Sequence, residues 1–203
     1  MKGIIYLSII LTPSVLFAQT IPEILPFDIF YEGKVVLQNG DTMKGLVKYN
    51  PEDRVQLTHH QRTENLSAGN VLFFEISDRT DQRRRQFYSL PYAKMNPYKT
   101  PVFFELLCEG KITLLSRETI EARTITSHGF HVSPMLMVVV NHYFILNGDG
   151  NIEAISDSPK AWYDLMGGEA GAVRNYVKKN NLDFRKKHQL MRIIGYFNSN
   201  FAL

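Results

Sequence analysis

A single cysteine, Cys108, stands among 203 residues. It can close no internal disulfide, so the fold must rest on packing, which a chain of this length can supply. A partly buried free thiol is the preferred reading of Cys108, with pairing between molecules as the alternative. Excess charge of one sign is also missing. Lys and Arg number 23 against 20 Asp and Glu, a formal charge of +3, too near neutrality for a chain built around nucleic acid. Long apolar runs are missing too. Past the N-terminus the longest is Met135 to Val140 (MLMVVV), which has strand length, whereas a membrane helix needs roughly 20 residues. No Gly-x-Ser-x-Gly elbow occurs. The glycine-rich stretch 166–172 (MGGEAGA) lacks the Lys-Ser/Thr of a phosphate loop and reads as a turn between helices.

What is present begins with an address. Met1-Lys2 is a short basic start, Ile4 to Leu11 is a compact apolar run, Pro13 breaks it, and Ala18 is a small residue at the end. This is the pattern of a cleaved secretory signal peptide, residues 1–18, and it implies a periplasmic or secreted protein. No cysteine follows the cut to carry a lipid. The aromatic share of 12% and the hydrophobic share of 44% are ample for a core.

Residues 19–157 read as a β-rich body. Asn39-Gly40 marks a first hairpin. A three-residue loop, 38–40, with left-handed Gly40 sets Val35 opposite Met43 and collects Leu37, Val47 and Tyr49 on the same face, whereas a two-residue turn would scramble the faces. Further strands are expected at 54–58, 70–77, 85–90, 102–107 and 111–116. The last two form a second hairpin, in which a loop at 108–110 pairs Leu106 with Ile112 and Phe104 with Leu114. Residues 118–134 read as a strand with a loop. Strands at 135–140 and 142–146 follow, with a bulge at Asn141, and a return strand at 151–156.

At Ser158-Pro159 the pattern becomes helical. Trp162, Leu165 and Met166 share a side of a first helix that Gly167-Gly168 ends. A second helix spans 169–179. A third is capped by Asp183 and carries Leu190, Ile193, Ile194 and Phe197 at i, i+3, i+4 and i+7. The expected fold is therefore α+β: an antiparallel β-sheet or partial barrel of about eight strands, followed by two to three C-terminal helices (158–203) packed on it.

The most chemistry-like string is Ile145 to Glu153 (ILNGDGNIE). Read as a calcium loop from Asn147, it has Ile152 where the bend needs glycine and Ser158 where a bidentate carboxylate belongs. Read as a hairpin, every residue has a place. The adjacent pair His59-His60, the pair His128 and His131, and His142 raise a metal reading, but no cysteine or carboxylate joins them at ligand spacing. Adjacent acids would raise the Cys108 pKa and leave the thiol unactivated. The sequence thus assigns no catalytic, cofactor or metal residue. Two basic clusters remain: Arg83, Arg84 and Arg85, with Arg79 and interleaved Asp78 and Asp81, and the C-terminal Lys178, Lys179, Arg185, Lys186 and Lys187. Each is either a solvated face or a surface for an anionic partner.

Three stretches together are distinctive. They are GKVVLQNGDTMKGLVKY (33–49), FELLCEGKITLL (104–115) and the tail VRNYVKKNNLDFRKKHQLMRIIGYFN (173–198). The chain resembles a group of small, uncharacterised exported proteins of Gram-negative bacteria with an N-terminal G-x-V-x-L-x-N-G-D-T-x-x-G hairpin and a helical C-terminal tail ending in Tyr-[Phe/Tyr]-Asn. The resemblance implies export and transfers no catalytic residue. The expected function is a non-enzymatic binding or scaffolding module of the cell envelope, meeting an anionic envelope component or another envelope protein through its basic residues. A hydrolase of envelope glycans or peptides is the alternative, since any two of twenty acids could meet. A metal-binding protein is a third.

Overall fold

The computed structural model describes residues 26–78, 83–94, 97–124 and 135–201. The expected signal peptide, Arg79, Asp81, His128 and His131 lie outside the described residues. After a 3-10 turn, Pro26–Asp28, come strands β1 (Tyr31–Leu37), β2 (Thr42–Asn50), β3 (Arg54–His59), β4 (Arg62–Ser67) and β5 (Val71–Asp78). These are followed by β6 (Arg83–Tyr92), β7 (Thr100–Cys108), β8 (Thr113–Thr124), β9 (Met135–Leu146) and β10 (Ile152–Ile155). The helices are α1 (Pro159–Met166), α2 (Ala170–Lys179) and α3 (Lys187–Phe201). The architecture is α+β: one open antiparallel sheet of ten described strands, ordered β10-β9-β8-β7-β6-β5-β1-β2-β3-β4, with helices at the C-terminal end.

The sheet cannot be flat. Residues 68–70 alone join β4 to β5, yet β1, β2 and β3 lie between those strands. Crossing four strand spacings in a flat sheet would take about 19 Å. The chain from Ser67 to Val71 reaches at most about 14 Å. The first five strands must therefore roll up. Neighbouring strands leave no room for a side chain at Gly33 and Gly45, which face each other across β1 and β2. A Cβ on Gly33 would stand 2.2 Å from the Glu75 carbonyl oxygen, and one on Gly45 would stand 2.3 Å from that of Thr58. Val35, Val47, Val55, Leu57, Phe74 and Ile76 fill the inside of the roll.

The first hairpin has the expected register, with Val35 opposite Met43 and Gly40 at φ +92°. The 147–151 hairpin repeats its hydrogen bonds. The Leu37 amide donates to the Asp41 carbonyl at 2.9 Å, and the Asn147 amide donates to that of Asn151 at 2.8 Å. Asn39 and Asp149 each accept the amide two residues on. The equivalent triplets are thus Asn39-Gly40-Asp41 and Asp149-Gly150-Asn151, and not the two Asn-Gly-Asp strings of the sequence.

The second hairpin departs from expectation. Leu106 pairs with Leu115, and Cys108 pairs with Leu114 across a bulge. Phe104 and Val102 share their face with Leu115, while Leu107, Ile112 and Leu114 face the helices. The parity argument fails here because β7 is buried on both faces, so neither register exposes an apolar row. Asn141 makes no bulge: β8 and β9 pair without interruption from Thr113–Leu146 to Thr124–Met135. The strand β4 escapes the sequence reading. Its turn, His60-Gln61, has both residues at positive φ (45° and 62°), a geometry that asparagine and glycine normally signal.

Ser158 caps α1 as expected, and Gly167 ends it at φ +57°. Trp162 and Met166 are buried, but Leu165 is exposed. Asp183 does not cap α3. It closes a separate turn, accepting from the Arg185 amide at 3.0 Å, and α3 begins at Lys187. The expected stripe of Leu190, Ile193, Ile194 and Phe197 is buried against Leu107, Ile112, Leu114, Tyr143 and Ile145, so strands and helices share this core. Asn198 fastens α3 to the β7–β8 loop. Its amide side chain accepts from the Ile112 amide and donates to the Ile112 carbonyl, both at 2.9 Å, and also reaches the Glu109 carbonyl. Asn198→Ala should cost about 2 kcal/mol, because backbone groups lose their partners. Urea unfolding at unchanged m-value would check this.

Candidate functional site

Glu105 is the only charged residue in the apolar run 102–107. By strand alternation its side chain points with Phe103 to the concave, rolled face. A carboxylate there needs cations. Arg85 of β6 supplies one, donating from Nε to Glu105 Oε1 at 2.9 Å and from Nη2 to Oε2 at 2.7 Å, a two-pronged pair. The same Nη2 donates to Glu118 Oε1 of β8 at 2.8 Å. Lys187 Nζ donates to both acids, at 2.6 and 3.2 Å. The Tyr49 hydroxyl reaches across from β2 to Glu118 Oε2 at 2.5 Å, and the Arg85 guanidinium lies over the Tyr49 and Phe87 rings. Four strands and a helix thus meet in one ion cluster. It sits between the core of the roll and the core under the helices.

Lys187 explains itself only through this cluster. It is the first residue of α3, where the helix dipole disfavours a cation. Two carboxylates hold it there.

The electrostatics follow from burial against pairing. Burial by itself would raise the Glu118 pKa. The charges of Arg85 and Lys187 and the Tyr49 hydrogen bond outweigh it and hold the carboxyl below the ordinary 4.5. Burial, with Glu118 as acceptor, pushes the Tyr49 phenol well above 10, so it stays a donor. Burial also pushes the Cys108 thiol up to about 11, and its Sγ donates to the Met191 carbonyl at 3.5 Å. A thiol so placed is neither thiolate nor nucleophile at neutral pH.

A second cluster closes the roll. Asp53, in the β2–β3 turn at φ +62°, accepts from Arg117 Nη1 at 2.8 Å, from the Phe103 amide at 2.8 Å and from Lys94. Burial would raise its pKa, but the Arg117 and Lys94 hydrogen bonds lower it on balance. The left-handed backbone of Asp53 costs of order 1 kcal/mol, offset by these contacts.

The ion cluster forms the floor of a cleft of about 330 Å³ whose rim includes Asp78, Arg83, Arg84, His188 and Met191. Of the basic residues singled out in the sequence, the fold brings Arg83, Arg84, Arg85 and Lys187 to this cleft. Arg85 and Lys187 are committed to the acids. Arg83 donates to Met191 Sδ at 3.6 Å, and the Arg84 side chain is 76% exposed, 3.7 Å from Glu75. Lys178, Lys179, Arg185 and Lys186 do not line the cleft. Lys178 and Lys179 end α2 in solvent, and Arg185 pairs with Asp183 at 2.8 Å. The sequence reading missed Tyr49, Glu105 and Glu118. The one signal it held was a lone acid inside the apolar run of β7.

Among the described residues, the histidines do not converge. His59 meets Glu64 at 2.9 Å, and His142 meets Thr119 at 3.0 Å. Among the described residues, no three His, Cys, Asp or Glu side chains gather as a metal would require, and no helix is long and apolar enough to cross a membrane. Compared with known protein families, curated proteins and solved structures, the chain finds no match in any of the three.

Proposed function

We propose that this protein is an exported, non-enzymatic binding module of the cell envelope, and that the cleft between β6, β7 and α3 receives an anionic group of its partner. One observation carries the reading. The two carboxylates that converge in the cleft are both spent on Arg85 and Lys187, and Glu118 is held ionised. A glycoside hydrolase, or a peptide hydrolase that works through a pair of carboxyls, needs one of them to keep its proton at the working pH. With its acids neutralised, the cleft offers the exposed guanidinium of Arg84 at its rim. Guanidinium groups recognise carboxylate and phosphate oxygens in a two-pronged way.

A photo-crosslinking residue at position 188, on the exposed rim of the cleft, in cells expressing the protein, tests this. The expected result is a discrete adduct from position 188, none from position 64 on β4, and loss of the adduct when Arg83→Glu/Arg84→Glu is added. Absence of any adduct at 188, together with turnover of an envelope glycan or peptide that Glu118→Gln abolishes, would replace the binding module with the hydrolase.

A further inference from the structure

The strand β9 is twelve residues long, but only Tyr143–Leu146 pair with β10. On its other side β9 pairs with β8 along its whole length. Among the described residues, no strand occupies the β10 side of 135–142. A strand edge presents main-chain amides and carbonyls in the spacing of another strand. The opposite edge of the sheet, β4, is short and carries Arg62 and Glu64, which discourage such pairing. The β9 edge carries no such device. From Met135 to Asn141 there is no charge and no proline, and Leu136 and Met137 are 39% and 48% exposed.

We propose that this edge seats a second copy of the chain, with two β9 strands antiparallel across a two-fold axis at Val138. The occupant follows from the chemistry of the edge. Its unpaired backbone fits an extended strand and nothing bulkier. Its side chains offer no countercharge to a charged strand, but they complement themselves. In this register Val138 of one copy faces Val138 of the other, Leu136 faces Val140, and Met137 faces Val139. Residues opposite each other in an antiparallel pair lie on the same face, so this symmetric register keeps the concave faces of both copies on one side. Among the described residues the lane is open as well. The strand β10 leaves the edge at Ile155, opposite Tyr143, so the second copy continues the row that β10 begins. Seven residues paired in this way add roughly six to eight main-chain hydrogen bonds. They also join two ten-stranded sheets into one and put two clefts on a single particle, which raises avidity for a repeating envelope surface.

Light scattering on the purified protein, from about 1 to 100 µM, provides the test. The expected result is a mass of two chains that falls to one in Leu136→Lys/Met137→Lys. Both positions are exposed, so the melting temperature of this variant should stay near wild type and report that it is folded. Independently, Val138→Cys in a Cys108→Ser background should form an interchain disulfide under mild oxidation, and Glu64→Cys in the same background should not. A single-chain mass across the whole range, a dimer untouched by both lysines, or no disulfide at position 138 would each overturn the proposal. In cells, a Val138→Cys chain that becomes linked only to a different protein would overturn it as well, and would give the edge to a foreign strand.

Discussion

Arg85→Ala should lower the unfolding free energy by about 3–5 kcal/mol, the range for breaking a buried ion cluster from one side. The Arg85 and Glu105 side chains are 10% and 6% exposed, so water cannot replace the lost cation cheaply. Lys187, at 23% exposed, stays behind with two carboxylates to satisfy. The cost is therefore mostly that of stranded charge and not of lost packing. A companion variant separates the two. Arg85→Met/Glu105→Leu/Glu118→Leu removes the charges together and leaves Lys187 free to turn outward. It should recover most of the stability, since apolar residues of similar volume replace buried ion pairs at little cost. Denaturant melts of both variants check this. A loss below 1 kcal/mol in Arg85→Ala would mean that the cluster does not hold β6, β7 and β8 together through buried charge.

Gly33→Ala is expected to be nearly as damaging, at roughly 3 kcal/mol or more, through the backbone and not through charge. The added methyl would lie 2.2 Å from the Glu75 carbonyl oxygen, and that oxygen belongs to a neighbouring strand that cannot swing aside. The strands β1 and β5 would have to separate there. Gly40→Ala, in the hairpin turn, meets nothing within 4 Å and pays only for its φ of +92°, about 1 kcal/mol. The two melting curves should rank in that order. Equal destabilisation would argue against the close approach of β5 at Gly33.

These two residues mark what the sequence could and could not disclose. The first hairpin was readable because one face of β1 and β2 is buried and the other wet, so only one register hides the apolar row. The stripe of α3 was readable for the same reason. Strand β7 was not, because Val102, Phe103, Phe104 and Glu105 are all buried and alternation carries no information there. Strand β4 was hidden by a turn of His60 and Gln61, whose left-handed backbone the residue types do not announce. The basic residues were visible, but their division was not. Arg85 and Lys187 look like their neighbours in the sequence, and only the fold brings Glu105 to within hydrogen-bonding distance of a lysine 82 residues further on. The glycines of the first hairpin and Asn198 of the tail hold close approaches, a turn and a loop.

In this reading Glu105 and Glu118 are ion-paired anchors and not an acid–base pair. A carbon-13 titration of the Glu118 carboxyl in the folded protein tests it most directly. Because pairing holds this pKa below the ordinary 4.5, Glu118 contributes stability above that pH and loses it as the pH falls through the depressed value. The expected result is a midpoint below 4.5 and a fall in melting temperature over the same acid range that Glu118→Gln makes shallower. A Glu118 midpoint near 6 or 7 would contradict it, because a carboxyl protonated near neutral pH in that cleft is what catalysis would need.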